Sequence, residues 1–90
     1  MKHVRSPLVF NCERDEFDVY VGRDSPFGNP FRIGPAQNRT QVIERFRKWV
    51  RGQPELLDRI RKELRGKRLG CWCRPKNCHA DVLAEIANAD

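Results

Sequence analysis

The sequence contains no long hydrophobic stretch, and this absence excludes a membrane-spanning helix. No apolar run approaches the roughly 20 residues that cross a bilayer. The basic N-terminus, residues 1–7, is followed only by Leu8, Val9 and Phe10 before polar Asn11, which is too short for the apolar core of a secretory signal. We therefore expect a soluble, cytosolic protein with no membrane partner.

Familiar catalytic motifs are also missing. The glycines lack the spacing of a dinucleotide-binding or P-loop motif. The sequence spacing also indicates no serine-histidine-acid set and no pair of catalytic carboxylates. Of the two histidines, His3 lies near the terminus without a visible partner. The four cysteines are therefore the main chemical feature. Because no secretory context is visible, we expect them to remain thiols rather than to form disulfides.

Charge is abundant and unevenly distributed. The 90 residues carry a net charge of +6, and residues 39–68 hold eleven Lys or Arg against four carboxylates, a local balance of +7. Such a segment is typical of a solvated helix surface, and it would also attract nucleic acid through basic helices. The length fits a single domain, residues 1–90, whose small core leaves a thin stability margin that a metal or partner would improve.

The hydrophobic pattern predicts a small α/β domain. The predicted elements are, in order, strands at Val4–Cys12 and Phe17–Val21, a Pro/Gly-rich loop at Asp24–Asn38, two helices, a strand at Arg68–Cys73 and a third helix. Asn38 and Gln41 can form a capping box for the first helix, Pro54 opens the second, and Asn77 can cap the third. We expect a Rossmann-like single domain with a short, mostly parallel sheet packed with about three helices. If Val19–Val21 and Leu69–Cys73 are parallel neighbours, their carboxyl ends meet at the edge where open α/β sheets bind ligands.

The chemistry is concentrated near the C-terminus. The segment reads Cys71-Trp72-Cys73-Arg74-Pro75-Lys76-Asn77-Cys78-His79 and holds three of the four cysteines. Cys71 and Cys73 are two apart on a strand, so their side chains leave the same face while Trp72 leaves the other. Cys78 and His79 fall in the first turn of the third helix, where backbone N–H groups and the helix dipole favour a thiolate.

This segment has three competing interpretations. Cys71, Cys73, Cys78 and His79 have the ligand types and number of a tetrahedral zinc site, although structural zinc ligands usually come as pairs from two separate knuckles. In a metal-free pocket, Cys73 or Cys78 would be a thiolate and His79 a proton-transfer group, which makes these three the candidate catalytic residues. In the third interpretation, the small cysteines pack under the helix and His79 only begins it.

A second group of candidate residues lies between Gly22 and Phe31. Arg23 offers a planar fork for phosphate or carboxylate, and Asn29 has both donor and acceptor atoms. Phe27 and Phe31 can sandwich a base or ring. The alternative is a Pro/Gly turn in which the two aromatic rings plug the core and Asn29 bonds its own backbone.

Taken together, these motifs resemble a small domain family. Three elements carry the resemblance: Tyr20-Val21-Gly22-Arg23, Gly28-Asn29-Pro30-Phe31, and the Cys-x-Cys-x-Pro-x-x-Cys-His run that begins at Cys71. The chain is similar over nearly its whole length to a family common in phages and bacteria and catalogued as domain of unknown function 4326. Ala80 stands where glycine is expected. The resemblance implies an arrangement of the site rather than a reaction, and a bacterial or phage-infected host cytosol.

The leading hypothesis is a pocket at the sheet edge that binds, and can process, a small anionic, nucleotide-like ligand. Its residues are Tyr20, Arg23, Asn29, Cys73, Cys78 and His79. Arg23 and the start of the third helix would hold the phosphate or carboxylate, and Asn29 would read a polar edge. Two alternatives are a zinc-stabilised module that binds nucleic acid, and a phage-type adaptor that binds a host protein through its basic surface.

Overall fold

A three-stranded parallel sheet covered by helices carries the fold. The computed structural model describes residues 8–22, 25–31, 34–72 and 78–89. Its elements are β1 at Val9–Asn11, β2 at Val19–Tyr20, α1 at Arg39–Arg51, α2 at Pro54–Glu63, β3 at Leu69–Cys71 and α3 at His79–Asn88. The predicted element order and the small α/β class are confirmed, while the finer Rossmann-like description stays a prediction. The first residues of the predicted first strand, 4–7, lie outside the described residues.

The last strand in the sequence is the central one. β3 pairs in parallel with both β1 and β2, so the strand order is β1-β3-β2. Leu69 stands opposite both Val9 and Val19, and the predicted parallel pairing of the second and third strands is confirmed. Gly70 is required at the centre because a Cβ built there would lie 2.6 Å from two carbons of the Phe17 ring.

An ion pair fixes the register where β2 and β3 begin. The backbone N–H of Arg68 donates to Asp18 Oδ2 at 2.8 Å, and its guanidinium Nη2 donates to Oδ1 at 3.1 Å. The side-chain hydrogen bond from Arg68 lowers the pKa of the Asp18 carboxyl, and the backbone bond adds to this effect. The two strands are thus held together at the end opposite to the predicted site.

The helix boundaries follow the predicted signals. Asn38 accepts from the Gln41 backbone N–H at 2.9 Å, and Gln41 Oε1 accepts from the Asn38 N–H at 2.8 Å, which confirms the capping box of α1. Gly52 ends α1, Pro54 opens α2, and Gly66 takes a left-handed φ of 71° after α2. Within the part of the chain that the structure describes, no helix has the length and apolar character needed to cross a membrane.

The third helix is the most deeply buried of the three helices and holds the candidate site in place. Residues 79–84 of α3 are all buried, and the helix contacts α1, α2, β1 and β3. The fully buried side chains around it include Phe46, Ile60, Leu64, Leu69 and Leu83. Because its first residues sit inside this core, the start of α3 cannot move independently of the sheet.

Candidate functional site

The carboxyl ends of β2 and β3 meet the start of α3, as the sequence predicts. Tyr20 closes β2, Cys71 closes β3, and Cys78 and His79 begin α3. Side-chain contacts join Cys71, Cys78 and His79 into one cluster at this edge. Arg23 and Cys73, which complete the predicted ligand-binding and metal-ligand sets, lie outside the described residues.

Two cysteine sulfurs are in direct contact. Cys71 Sγ lies 2.9 Å from Cys78 Sγ, and each residue is 1% exposed. The two remain thiols rather than a disulfide. The contact links the end of strand β3 to the start of α3, and either sulfur can be the hydrogen-bond donor to the other.

His79 is held in one orientation by a backbone carbonyl. Its Nε2 lies 2.8 Å from the carbonyl oxygen of Val21, and a carbonyl can only accept, so Nε2 carries the proton. In the neutral ring Nδ1 then has the lone pair, and it lies 3.4 Å from Cys78 Sγ. The ring of Phe46 packs edge-on against the imidazole at 5.2 Å between centroids. This arrangement allows Nδ1 to accept the proton of the Cys78 thiol.

Cys78, and not Asn77, is the N-cap of α3, so that prediction is wrong. Cys78 Sγ accepts from the Ala80 backbone N–H at 3.5 Å, and the Asp81 carboxylate accepts from the Cys78 N–H at 3.3 Å. Asp81 therefore completes a capping box at the start of α3. These bonds use N–H groups that were expected to hold an anion, so the helix start offers less to a ligand phosphate than the sequence indicated.

An exposed tryptophan and a half-buried tyrosine form a pair at the same edge. Trp72 is 58% exposed, and its indole Nε1–H donates to the Tyr20 hydroxyl at 2.9 Å. Tyr20 was a predicted ligand-binding residue, whereas Trp72 was missed as a functional candidate. Strand alternation had placed Trp72 on the face opposite to Cys71, but alternation does not tell whether anything covers that face.

The described aromatic residues of the loop pack into the fold. Phe27 is 3% exposed and belongs to the core. The Phe31 ring packs edge-on against Trp49, and the Arg45 guanidinium carbon lies over it at 4.4 Å from the centroid. The hypothesis that the two rings sandwich a base is therefore wrong. Asn29 Oδ1 accepts from the Phe31 N–H at 2.8 Å, which is a local turn, and leaves the amide NH₂ as the group that can donate to a ligand.

The proposed zinc ligands are only partly described. Among the described residues, no group of three or more His, Cys, Asp or Glu side chains has the geometry of a metal site. Cys71, Cys78 and His79 do lie together, but a zinc ion with two thiolate ligands at about 2.3 Å would hold the sulfurs about 3.8 Å apart. The observed contact would have to open by almost 1 Å to admit it.

Comparison with known proteins identifies the family. The family model described as "Domain of unknown function (DUF4326)" matches residues 10–89. The chain belongs to this family. It is also 39% identical over 84 residues to a phage T4 protein named "Uncharacterized 12.4 kDa protein in nrdA-td intergenic region", with 89% of this chain and 76% of the phage protein aligned. No solved structure matches the chain.

The basic segment of this DUF4326 domain is partly neutralised by ion pairs. Arg59 pairs with Glu63 at 2.6 Å and Lys62 pairs with Asp58 at 2.9 Å along α2, while Arg47 of α1 contacts both Glu44 and Glu85. A shallow groove of about 330 Å³ beside α1 has a mixed lining: Ala36, Gln37, Gln41, Glu44, Arg45 and Lys48. This alternation of signs is typical of a solvated helix surface.

Proposed function

We propose that this domain binds a small anionic, nucleotide-like ligand at the carboxyl edge of its sheet. The observation that carries the proposal is the exposed Trp72 indole, fixed by its hydrogen bond to Tyr20 beside the ends of β2 and β3. Open α/β sheets bind ligands at this edge. A large apolar ring left exposed there and held in one orientation suits a planar partner such as a nucleobase.

The position of the ring also limits the shape of the ligand. Trp72 and Cys71 are neighbours in the chain, so their side chains point to opposite faces of the sheet. Of the two, only Trp72 is exposed. A ligand that stacks on the indole and reaches Cys78 and His79 must therefore cross over the carboxyl ends of the strands. A nucleotide, with a ring at one end and a phosphate at the other, has this form.

Recognition of the negative charge is assigned to Arg23 in this proposal. Arg23 directly follows Gly22 in the sequence, and its guanidinium provides a fork for two oxygens. The capped start of α3 is a weaker partner because Cys78 and Asp81 already engage its N–H groups. Arg23→Ala should abolish binding without unfolding the domain, and unfolding would instead make the role of Arg23 structural.

Cys78 and His79 are the groups that can process the ligand. The thiol can pass its proton to Nδ1 of His79, and the resulting imidazolium keeps its Nε2–H bonded to the Val21 carbonyl. The thiolate is stabilised by the Ala80 N–H and the positive end of the α3 dipole. This is the arrangement of nucleophile, base and orienting group used in covalent catalysis.

Titration of the protein with AMP, GMP, CMP and dTMP, followed by tryptophan fluorescence, tests the binding. We expect at least one of these nucleotides to quench Trp72, and Trp72→Ala to weaken its binding roughly 10- to 100-fold, the loss of one stacking contact. Trp72→Phe keeps a ring and should retain most of the affinity, measured by melting-temperature shift because that variant loses the reporter. The exposed Lys67, at the other end of β3, supplies the control Lys67→Ala.

Failure of all four nucleotides to bind, or equal binding by Trp72→Ala and wild type, contradicts the proposal. Inorganic phosphate and ribose 5-phosphate are titrated in parallel. If either raises the melting temperature as much as the best nucleotide does, the ligand needs no ring and the assignment of Trp72 is wrong.

A zinc-stabilised module is the competing proposal, for which Cys71, Cys78 and His79 supply the right ligand types at sulfur positions that would have to move apart. Elemental analysis of purified protein decides this: stoichiometric zinc, with a melting temperature that falls in chelator, would replace the metal-free site by a metal centre. Its nucleic-acid function further requires DNA or RNA binding that weakens steeply with salt.

A further inference from the structure

We infer that Cys71 and Cys78 form a redox pair that closes to an intramolecular disulfide when it meets a peroxide. The inference stands apart from the ligand, because it rests on the two sulfurs and the groups around them. The sulfurs are 2.9 Å apart across the junction of β3 and α3, closer than two thiols normally approach. A disulfide bond of about 2.05 Å requires the two sulfurs to approach by less than 1 Å.

Cys78 is the thiol that reacts first. Its sulfur accepts from the Ala80 N–H and faces His79 Nδ1, so two groups stabilise the thiolate. The helix dipole of α3 adds to this stabilisation. Cys71 lies at the end of β3 with its sulfur against that of Cys78, which is the position of a resolving cysteine.

The reaction balances with hydrogen peroxide as the oxidant. The Cys78 thiolate attacks one peroxide oxygen, the O–O bond breaks, and the leaving hydroxide takes the proton held by His79 to become water. The Cys71 sulfur then attacks the sulfenic sulfur of Cys78, and the S–S bond forms as the S–O bond breaks. The leaving hydroxide takes the Cys71 thiol proton and becomes a second water. Two thiols have lost two electrons, and one peroxide has gained them. Hydrogen peroxide is little larger than water, which suits sulfurs as buried as these.

The other cysteines are distinguishable from this pair. Cys12 lies one residue beyond β1, and its backbone N–H donates to the Cys71 carbonyl at 3.0 Å, so the test removes its thiol. Cys73 is the competitor that the test must exclude, because it lies two residues after Cys71 and outside the described residues. The double variant Cys12→Ser/Cys73→Ser leaves only Cys71 and Cys78.

Closure of the disulfide would also disable the Cys78–His79 pair. A sulfur in a disulfide has no thiol proton to give to Nδ1, and it is no longer a nucleophile. The cap of α3 would lose the charge that its N–H groups stabilise. In the disulfide state, Cys78 can therefore act neither as a nucleophile nor as a proton donor to His79.

Mass spectrometry after peroxide treatment tests the inference. The double variant is exposed to a small excess of hydrogen peroxide, remaining thiols are blocked with iodoacetamide, and the intact mass is measured. We expect a loss of about 2 Da with no alkylation, reversed by dithiothreitol. In wild type, trypsin cuts after Lys76, so the peptide 69–76 should be found linked to the peptide 77–90.

Single variants separate the possible pairings. Cys73→Ser should keep the linked peptides, while Cys71→Ser, Cys71→Ala and Cys78→Ser should lose them; the alanine variant guards against a serine that unfolds the core. Linked peptides that persist in both Cys71 variants would identify Cys73 as the partner and overturn the inference. A double variant that gains oxygen mass, or that remains fully alkylated, would overturn it as well.

Discussion

Removal of the His79 imidazole should destabilise the whole domain. The side chain is 8% exposed, its Nε2–H is donated to the Val21 carbonyl at 2.8 Å, and its ring packs edge-on against Phe46. His79 thereby ties the first residue of α3 to the end of β2. Replacement by alanine removes this donor and leaves the carbonyl oxygen of the fully buried Val21 without this partner. It also opens space beside the Phe46 ring.

The magnitude follows from these contacts. A buried acceptor left unsatisfied costs about 1–3 kcal/mol. The lost aromatic contact adds about 0.5–1.5 kcal/mol. His79→Ala should therefore lower the free energy of unfolding by roughly 3 kcal/mol. A domain of this size has a total of about 5–13 kcal/mol, so the loss is a large fraction of it.

Urea denaturation followed by circular dichroism measures the effect. The midpoint should fall while the slope against urea concentration stays unchanged, because the unfolded surface is the same. The matched control is Glu85→Ala on the same helix, whose exposed pair with Arg47 should be worth about 0–1 kcal/mol. If both variants lose the same small amount, the imidazole does not tie α3 to β2 and the assigned tautomer loses its basis.

Two other changes probe the edge and the opposite end of the sheet. A Cβ at Gly22 would lie 2.5 Å from the ring carbon Cζ of Tyr20. Gly22→Ala should therefore displace the Tyr20 ring, break its hydrogen bond to Trp72 and shift the Trp72 indole N–H signal in NMR. An unchanged signal would show that the Tyr20 ring is not packed on Gly22. The pKa of Asp18 is lowered from its ordinary value of 3.8, first by the side-chain bond from Arg68, so its contribution to stability is present above that value and lost as pH falls through the folded pKa. The melting temperature of Asp18→Asn should then be below that of wild type at pH 7 and approach it near pH 2. A difference in melting temperature that does not change with pH would refute the ion-pair account.

Local signals in the sequence predicted most of the fold because each acts over a few residues. The Asn38 and Gln41 capping box, Pro54 at the start of α2 and the alternating strands are decided by backbone bonds within one turn or by side-chain periodicity. The parallel arrangement of the strands was enough to predict that the carboxyl ends of β2 and β3 lie side by side. These features placed Tyr20 and Cys71 at one edge correctly.

The finer geometry of the site depended on contacts between distant residues. The partner of His79 is a backbone carbonyl at Val21, and any residue there would present the same oxygen, so no side-chain pattern indicates it. Asn77 and Cys78 can both accept at a helix start, and the stronger preference for Asn led to the wrong cap. The sequence pattern is compatible with Phe27 facing either solvent or the core. It is buried because of its packing within the whole domain, which no local pattern indicates.

The two tryptophans provide the most direct test of a ligand site at the sheet edge. Trp72 is exposed beside Tyr20, whereas Trp49 packs against Phe31 and Phe46, and the chain contains no other tryptophan. Two-dimensional ¹⁵N–¹H NMR resolves their two indole signals during titration with AMP, GMP, CMP and dTMP. The proposed site predicts that the Trp72 signal moves in a saturable way while the Trp49 signal stays. Movement confined to Trp49 and the amides of α1 and α2, or no movement at all, would contradict it.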